Sequence, residues 1–152
     1  MKLSCDVIAA LQGRTLVTAE SCTGGGIGAV LTAVPGSSKV YKGGIISYTN
    51  EVKIQQLGVA PEMLNKEGAV SAQVAEAMAS GARERLQADV AVSVTGLAGP
   101  DGDEFGNPVG TVYIGYADEN KVIFSKFLFS GTRQEIRNLA TEAALKIILE
   151  NR

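Results

Sequence analysis

Residues 15–34 read TLVTAESCTGGGIGAVLTAV and contain three successive patterns. The stretch opens with β-branched and apolar residues that predict a buried strand. It closes with apolar side chains at helical spacing on one face: Ile27, Val30, Leu31 and Val34. A polar, glycine-rich turn lies between the two. Because strand, tight turn and helix form the repeating unit of α/β folds, the stretch predicts an α/β domain.

The sequence on either side of this unit adds further elements. A short amphipathic helix is predicted over residues 3–11, a second strand over residues 40–48 and a long helix over residues 71–86. Asn50 is interpreted as the N-terminal cap of an intervening helix, with Lys53 in its first turn.

The C-terminal half supplies the rest of the sheet. Residues 89–95 form an apolar run typical of a strand buried on both faces, whereas residues 111–116 and 122–129 have the pattern of a hairpin. The last helix opens at Thr132 with a capping box and is predicted to bury Ile136, Leu139, Ala140, Ala143 and Ile147. We therefore predict one domain, residues 1–152, with a three-layer α/β/α sandwich and a mixed sheet of about five strands.

Composition narrows the class of protein. Hydrophobic residues make up 45% of the 152 residues, which is enough to form a core without disulfide bonds or a structural metal ion. The net charge is only −2 and no basic run occurs, so nucleic acid is not expected as a partner. Two cysteines, Cys5 and Cys22, are too few for a disulfide framework and have no metal-ligand spacing. We expect a cytoplasmic protein with reduced thiols, no metal and no membrane segment.

The chain contains no histidine. A catalytic base must therefore come from a lysine, tyrosine, carboxylate or thiol, which excludes the Ser-His-Asp and Cys-His mechanisms.

Three polar segments with glycines follow predicted strands: residues 20–26, 48–53 and 95–102. Ligands of open α/β sheets bind at the carboxyl ends of the strands, so we expect these segments to converge there. The long loop over residues 96–110 is rich in glycine and proline, which is typical of a functional loop. It has neither the Rossmann nor the P-loop pattern, so it should bind a ligand smaller than a dinucleotide.

Three side chains in these segments are candidates for catalysis. Ser21 lies between a strand and a helix N-terminus, where backbone N–H groups can stabilise an oxyanion or a phosphate; the alternative is a simple helix cap. Lys53 could act as a base if burial lowered its pKa to 7–8, which costs on the order of 4 kcal/mol; the alternative is a solvated surface lysine. Tyr48 could relay a proton or simply cap the packing at the end of its strand.

Cys22 is the rival nucleophile, since a Glu-Lys-Cys arrangement with Glu20 or Glu51 also needs no histidine. Its alternative role is that of a small core residue.

Arg133 and Arg137 lie four residues apart at the start of the last helix, so they share one face and could clamp a phosphate or carboxylate. The alternative is surface ion pairing with Glu135 or Glu142.

Six motifs occur along the chain: TAESCTGG (18–25), GGIISYTNEVK (43–53), GAVS (68–71), SVTGLAGPDG (93–102), PVGTVYIG (108–115) and FSGTRQEIR (129–137). Together and in this order they resemble the CinA C-terminal domain family, the competence/damage-inducible family whose members include nicotinamide mononucleotide deamidases. The resemblance covers nearly the whole chain.

The resemblance implies an α/β/α domain that hydrolyses the carboxamide of nicotinamide mononucleotide to nicotinate mononucleotide and ammonia in pyridine nucleotide recycling, with no cofactor. It identifies Ser21 as the nucleophile, with Lys53 and Tyr48 as the base system. Substrate contacts are expected from the serine turn, the second segment, the long loop and the last helix: Thr23, Gly24, Gly25, Asn50, Thr95, Gly96, Arg133 and Arg137.

The chain differs from the family pattern at the start of the last helix and from many members in domain content. The usual GDR start of the last helix is Gly131-Thr132-Arg133 here, so a threonine cap replaces the aspartate. Many members also carry an upstream molybdopterin-binding-like domain that has no counterpart in these residues, so a stand-alone deamidase is expected. A non-catalytic nucleotide-binding adaptor is the alternative function, and a homo-oligomer is compatible with the sequence.

Overall fold

The computed structural model describes residues 1–152 and contains six α-helices, one short 3-10 helix and five strands. None of the helices has both the length and the apolar character that a membrane span requires. In chain order the elements are α1 (Lys2–Ala10), β1 (Leu16–Glu20), α2 (Gly26–Thr32), the 3-10 helix (Ser37–Lys39), β2 (Tyr41–Ile46), α3 (Asn50–Leu57), α4 (Pro61–Glu67), α5 (Ala72–Arg85), β3 (Val90–Gly96), β4 (Thr111–Ala117), β5 (Val122–Leu128) and α6 (Arg133–Asn151).

The strands form one open sheet in the order β2-β1-β3-β4-β5. β1 is parallel to both of its neighbours, with Leu16 opposite Val90 in β3. β4 runs antiparallel to β3, and β5 runs antiparallel to β4 with Thr111 opposite Leu128. The predicted mixed sheet and its C-terminal hairpin are therefore confirmed.

Helices cover both faces of the sheet, as the predicted three layers require. The larger core packs α1, α2 and α6 on one face, and the smaller core packs α3, α4 and α5 on the other. α5 approaches the sheet very closely, because a Cβ atom added to Gly115 of β4 would lie only 2.2 Å from the carbonyl oxygen of Ala75. Glycine at this position thus allows the helix backbone to pack directly on the strand.

The order of connections creates a crevice at one edge of the sheet. The chain leaves β1 through α2 on one face to reach β2, and it returns to β3 through α3, α4 and α5 on the opposite face. β1 and β3 are neighbours in the sheet. The connection after β1 leads to β2 on one side, whereas the loop after β3 leads to β4 on the other side, so the two connections diverge at the carboxyl ends of β1 and β3. Such a switch point is where open α/β sheets bind ligands.

Two local predictions were wrong, and one helix was not predicted. Thr49, not Asn50, caps α3, because the Thr49 hydroxyl accepts a hydrogen bond from the backbone N–H of Val52 at 3.3 Å. α4 was not predicted, because this seven-residue helix buries only Leu64 and gives no periodic pattern. Leu139 is exposed rather than buried, although the rest of its predicted set on α6 does lie in the core.

Candidate active site

A cavity of about 280 Å³ lies at the carboxyl ends of β1 and β3. Its walls come from the turn after β1, the segment that leads into α3, the turn before α5, the loop after β3 and the start of α6. The three polar segments therefore converge, as expected from their positions after strands. The cavity is slightly smaller than a typical pocket for a drug-sized ligand.

The centre of the cavity is a direct contact between Ser21 and Lys53. The ammonium nitrogen Nζ of Lys53 lies 3.0 Å from the hydroxyl oxygen Oγ of Ser21. It also donates to the carbonyl oxygens of Ser47, at 2.8 Å, and Tyr48, at 3.4 Å. Only 1% of Lys53 is exposed to solvent, so this lysine is not a surface residue.

Burial lowers the pKa of Lys53 to about 8, because the charged amine loses its hydration shell. No carboxylate lies within ion-pair distance of the amine to oppose this effect. At pH 7.5 about a quarter of the molecules then carry a neutral amine. A neutral amine can still donate to two carbonyl oxygens while its lone pair accepts the proton of the Ser21 hydroxyl.

Backbone hydrogen bonds fix the positions of Ser21 and Lys53 relative to each other. The N–H of Ser21 donates to the carbonyl of Val94 at 3.0 Å, so Ser21 continues the β1–β3 ladder beyond the end of β1. The N–H of Ser47 donates to the carbonyl of Glu20 at 2.8 Å and ties the segment before α3 to the same edge. Lys53 follows in the first turn and a half of α3, whose start is fixed by the Thr49 cap.

The turn after Ser21 presents unpaired backbone N–H groups. Those of Cys22, Thr23 and Gly25 make no hydrogen bond within the chain. Cys22 lines the cavity next to Ser21, so its unpaired N–H is a candidate donor for an oxyanion hole.

Glu20 occupies the N-terminus of α2 with its own carboxylate. The buried side chain accepts hydrogen bonds from the backbone N–H groups of Ile27, at 2.8 Å, and Gly28, at 3.0 Å. It also accepts from the hydroxyls of Thr18 and Thr23. This capping role was not predicted, and the available signal was a glutamate just before the glycine-rich turn that leads into α2. The start of α2 is therefore closed to an external phosphate.

Tyr48 contributes its backbone to the Ser21–Lys53 pair and its side chain to the rim. Its hydroxyl accepts a hydrogen bond from Nη2 of Arg133 at 3.0 Å and contacts neither Ser21 nor Lys53. Arg133 also donates to the carbonyl of Gly99 and lines the cavity. The proton relay expected of the Tyr48 hydroxyl has no geometric basis in this arrangement.

Arg137 lies behind the serine turn rather than in the cavity. Its guanidinium donates to the carbonyls of Cys22, at 3.0 Å, and Thr23, at 3.2 Å, and to the side chain of Gln134 at 2.7 Å. Neither Arg137 nor Arg133 forms an ion pair. Arg137 thus braces the turn that carries Ser21, and Arg133 is the only arginine on the cavity wall.

The remaining predicted contacts divide into two groups. Asn50, Thr95 and Gly96 line the cavity, whereas Thr23, Gly24 and Gly25 do not. The Thr95 hydroxyl donates to the carbonyl of Ala69 at 2.8 Å and joins the end of β3 to the turn before α5.

Asp101 also lines the cavity and was not among the predicted residues. Its side chain makes no hydrogen bond within the chain, which leaves its carboxylate free for a ligand. Its position in a Gly-Pro-Asp-Gly loop after a buried strand was the available signal.

Cys22 has the properties of a packed core residue. It is buried, and burial raises the pKa of its thiol to about 11, so a thiolate is scarce at neutral pH. Glu20 caps α2 and Glu51 is bound to Gln55, so neither carboxylate completes the Glu-Lys-Cys arrangement.

Comparisons with known proteins show which family the chain is similar to. The family model described as CinA C-terminal domain matches residues 2–151. A CinA-like protein of Thermosynechococcus vestitus is 53% identical over 138 residues, which are 89% of this chain but 33% of that protein. The chain thus spans about a third of the length of the curated relatives it matches.

Solved structures match over nearly their full length. The competence damage-inducible protein A from Klebsiella pneumoniae superposes with a TM-score of 0.96 at 34% identity, covering 99% of this chain and 94% of that one. The competence/damage inducible protein CihA from Agrobacterium tumefaciens gives a TM-score of 0.94 at 40% identity, with 98% and 93% covered.

Proposed function

The chain belongs to the CinA C-terminal domain family, and from this membership we propose that it hydrolyses the carboxamide of nicotinamide mononucleotide to nicotinate mononucleotide and ammonia. The observation that carries the proposal is the 3.0 Å contact between Ser21 Oγ and a buried Lys53 whose pKa is about 8. A hydroxyl next to a neutral amine is a nucleophile with its base already in place, and it requires no imidazole.

In the first step, neutral Lys53 removes the proton of Ser21 while the hydroxyl oxygen attacks the carboxamide carbon. The N–H of Cys22 donates to the developing oxyanion. The protonated amine then returns its proton to the departing nitrogen, and ammonia leaves as the C–N bond breaks. Water, deprotonated by the same amine, hydrolyses the acyl enzyme and regenerates Ser21.

The charges around the cavity suit a zwitterionic substrate. Nicotinamide mononucleotide carries a cationic ring and an anionic phosphate at opposite ends of a ribose. Arg133 has no ion-pair partner and lies on the rim, where it can bind the phosphate bidentately. Asp101 is the one carboxylate on the cavity wall and can offset the positive charge of the ring or bind ribose hydroxyls.

The test is ammonia release from nicotinamide mononucleotide by the wild type and by Ser21→Ala and Lys53→Met. Each variant should lose at least about a thousandfold in kcat, because nucleophile and base act as a unit. The matched controls are Ser38→Ala and Lys39→Met, which make the same changes at exposed positions outside the cavity. Circular dichroism establishes that each variant is folded.

Near-normal turnover by Ser21→Ala or Lys53→Met would remove that residue from the mechanism. Saturable binding of the nucleotide to the wild type without ammonia release would instead favour the non-catalytic adaptor. A panel that includes nicotinamide riboside and nicotinamide would establish which pyridine amide is preferred.

A further inference from the structure

β5 is a free edge of the sheet with an exposed apolar face. It pairs with β4 on one side only, and no element of the chain covers its other side. Three large apolar side chains on this strand are exposed: Val122 by 44%, Phe124 by 47% and Leu128 by 67%. Long apolar edge strands are unusual in monomers, because their unpaired backbone groups and side chains favour association.

The hydrogen bonds that flank the hairpin show which backbone groups point outward. Phe129 N–H donates to Gly110, and Asp118 N–H donates to Lys121. Because antiparallel strands alternate, odd-numbered residues of β5 direct their N–H and C=O groups toward β4. Even-numbered residues 122 to 128 therefore direct theirs away from the sheet.

We infer that β5 pairs antiparallel with β5 of a second copy of this chain, on a two-fold axis at Ser125. Val122 then faces Leu128 of the second copy, and Phe124 faces Lys126 of the second copy. Every outward-facing backbone group within the strand meets another outward-facing group, so the strands can form a full ladder and a ten-stranded sheet. The apolar pair and the lysine-aromatic pair are both favourable cross-strand neighbours.

Neighbouring registers are less favourable. A shift of two residues one way places Lys126 opposite Lys126 of the second copy, and like charges in this position are destabilising. A shift of two residues the other way moves Leu128 opposite Asn120, beyond the end of the strand, and leaves the most exposed side chain without an apolar partner. Only the register centred on Ser125 pairs all seven residues without a lysine-lysine contact.

The opposite edge of the sheet is unsuited to the same contact. β2 contains Gly43 and Gly44, and its pairing with β1 shifts in register between Leu16 and Val17. Lys42 of this strand is held by the carbonyl of Gln87. Such irregular, glycine-rich edges resist strand pairing.

The surface beside β5 does not repel a second copy. A groove between β5 and α6 has a wall of alternating charge, Glu142, Lys146 and Glu150, and the net charge of the chain is only −2. A two-fold axis normal to the sheet places both copies of α6 on one face, where neither presents charge of a single sign.

A cross-link tests the register. Across a non-hydrogen-bonded antiparallel pair, the two Cα atoms of residue 125 lie about 4.5 Å apart, within disulfide range. Ser125→Cys, made together with Cys5→Ser to remove the exposed native thiol, should form a covalent dimer on mild oxidation. Lys126→Cys and Phe124→Cys in the same background are the controls, because each meets its symmetry mate only at about 8–9 Å. A covalent dimer through either control, and not through residue 125, would overturn the register.

Sedimentation tests the interface itself. The wild type should be a dimer that Leu128→Lys converts to a monomer, while Ile46→Lys, the same change on the β2 edge, leaves the dimer intact. Both side chains are exposed, so the fold should survive, as circular dichroism would verify. A wild type that stays monomeric up to about 1 mM, or a dimer unaffected by Leu128→Lys, would overturn the inference.

Discussion

Replacement of Lys53 by methionine should remove a specific part of the pH dependence of stability. The buried amine has a pKa of about 8 in the folded chain, whereas the reference value for an unfolded lysine is 10.5. Between these values the unfolded chain binds more protons than the native chain, so the free energy of unfolding rises with pH. Below pH 8 both states are protonated, and the cost of burying the charge is present in full.

The two pKa values set the size of the effect. From pH 7 to pH 9.5, the Lys53 contribution should raise the free energy of unfolding of the wild type by about 2 kcal/mol. Methionine has a similar length and does not titrate, so the Lys53→Met variant should lack this increase. Groups that titrate in both proteins cancel in the difference between them.

Urea unfolding followed by circular dichroism at intervals from pH 7 to pH 9.5 measures the effect. The difference in the free energy of unfolding between wild type and variant should change steadily above pH 8 in favour of the wild type. A difference that stays constant over the whole range would mean that Lys53 is an ordinary ammonium. In that case the proposed base would be lost, whatever the activity of the enzyme.

Four further outcomes are expected. The kcat/KM for amide hydrolysis should rise with pH and level off above about 8, because neutral Lys53 is the active form; a flat profile would contradict this. Cys22→Ser should keep turnover within about threefold of the wild type, and iodoacetamide should not inactivate the enzyme, since the buried thiol has a pKa of about 11. Glu20→Gln should lower the free energy of unfolding by about 2 kcal/mol in urea melts, because an amide nitrogen would face a backbone N–H. Arg133→Ala should raise KM about tenfold with little change in kcat, whereas an unchanged KM would show that the phosphate binds elsewhere.

Much of the fold could be predicted because its signals are local. β3 is a nearly unbroken apolar run, the hairpin has a polar turn between two strands, and α6 begins with a capping box that the structure contains. α4 and the Thr49 cap were not predicted, because their local signals are weak or ambiguous. α4 has one buried residue, and Thr49 and Asn50 are adjacent residues that can both cap a helix.

The sequence predicted which segments form the candidate site but not the contacts of their side chains. The lack of histidine limited the base to a lysine, tyrosine, carboxylate or thiol, and the family resemblance pointed to Lys53. The structure places the Lys53 amine at hydrogen-bond distance from Ser21. The roles of Arg133 and Arg137 could not be separated, because residues four apart share a helix face. Only the fold places one guanidinium on the cavity wall and the other behind the serine turn.

The buried carboxylate of Glu20 at the start of α2 bears on the orientation in which a ligand would enter the cavity. In many nucleotide-binding folds a glycine-rich turn and the helix after it attract the phosphate end of the ligand. Here that attraction is already neutralised by an anion belonging to the chain. Under the proposed function, a nucleotide whose phosphate binds Arg133 would enter base first, with its phosphate toward solvent and its carboxamide deepest in the cavity.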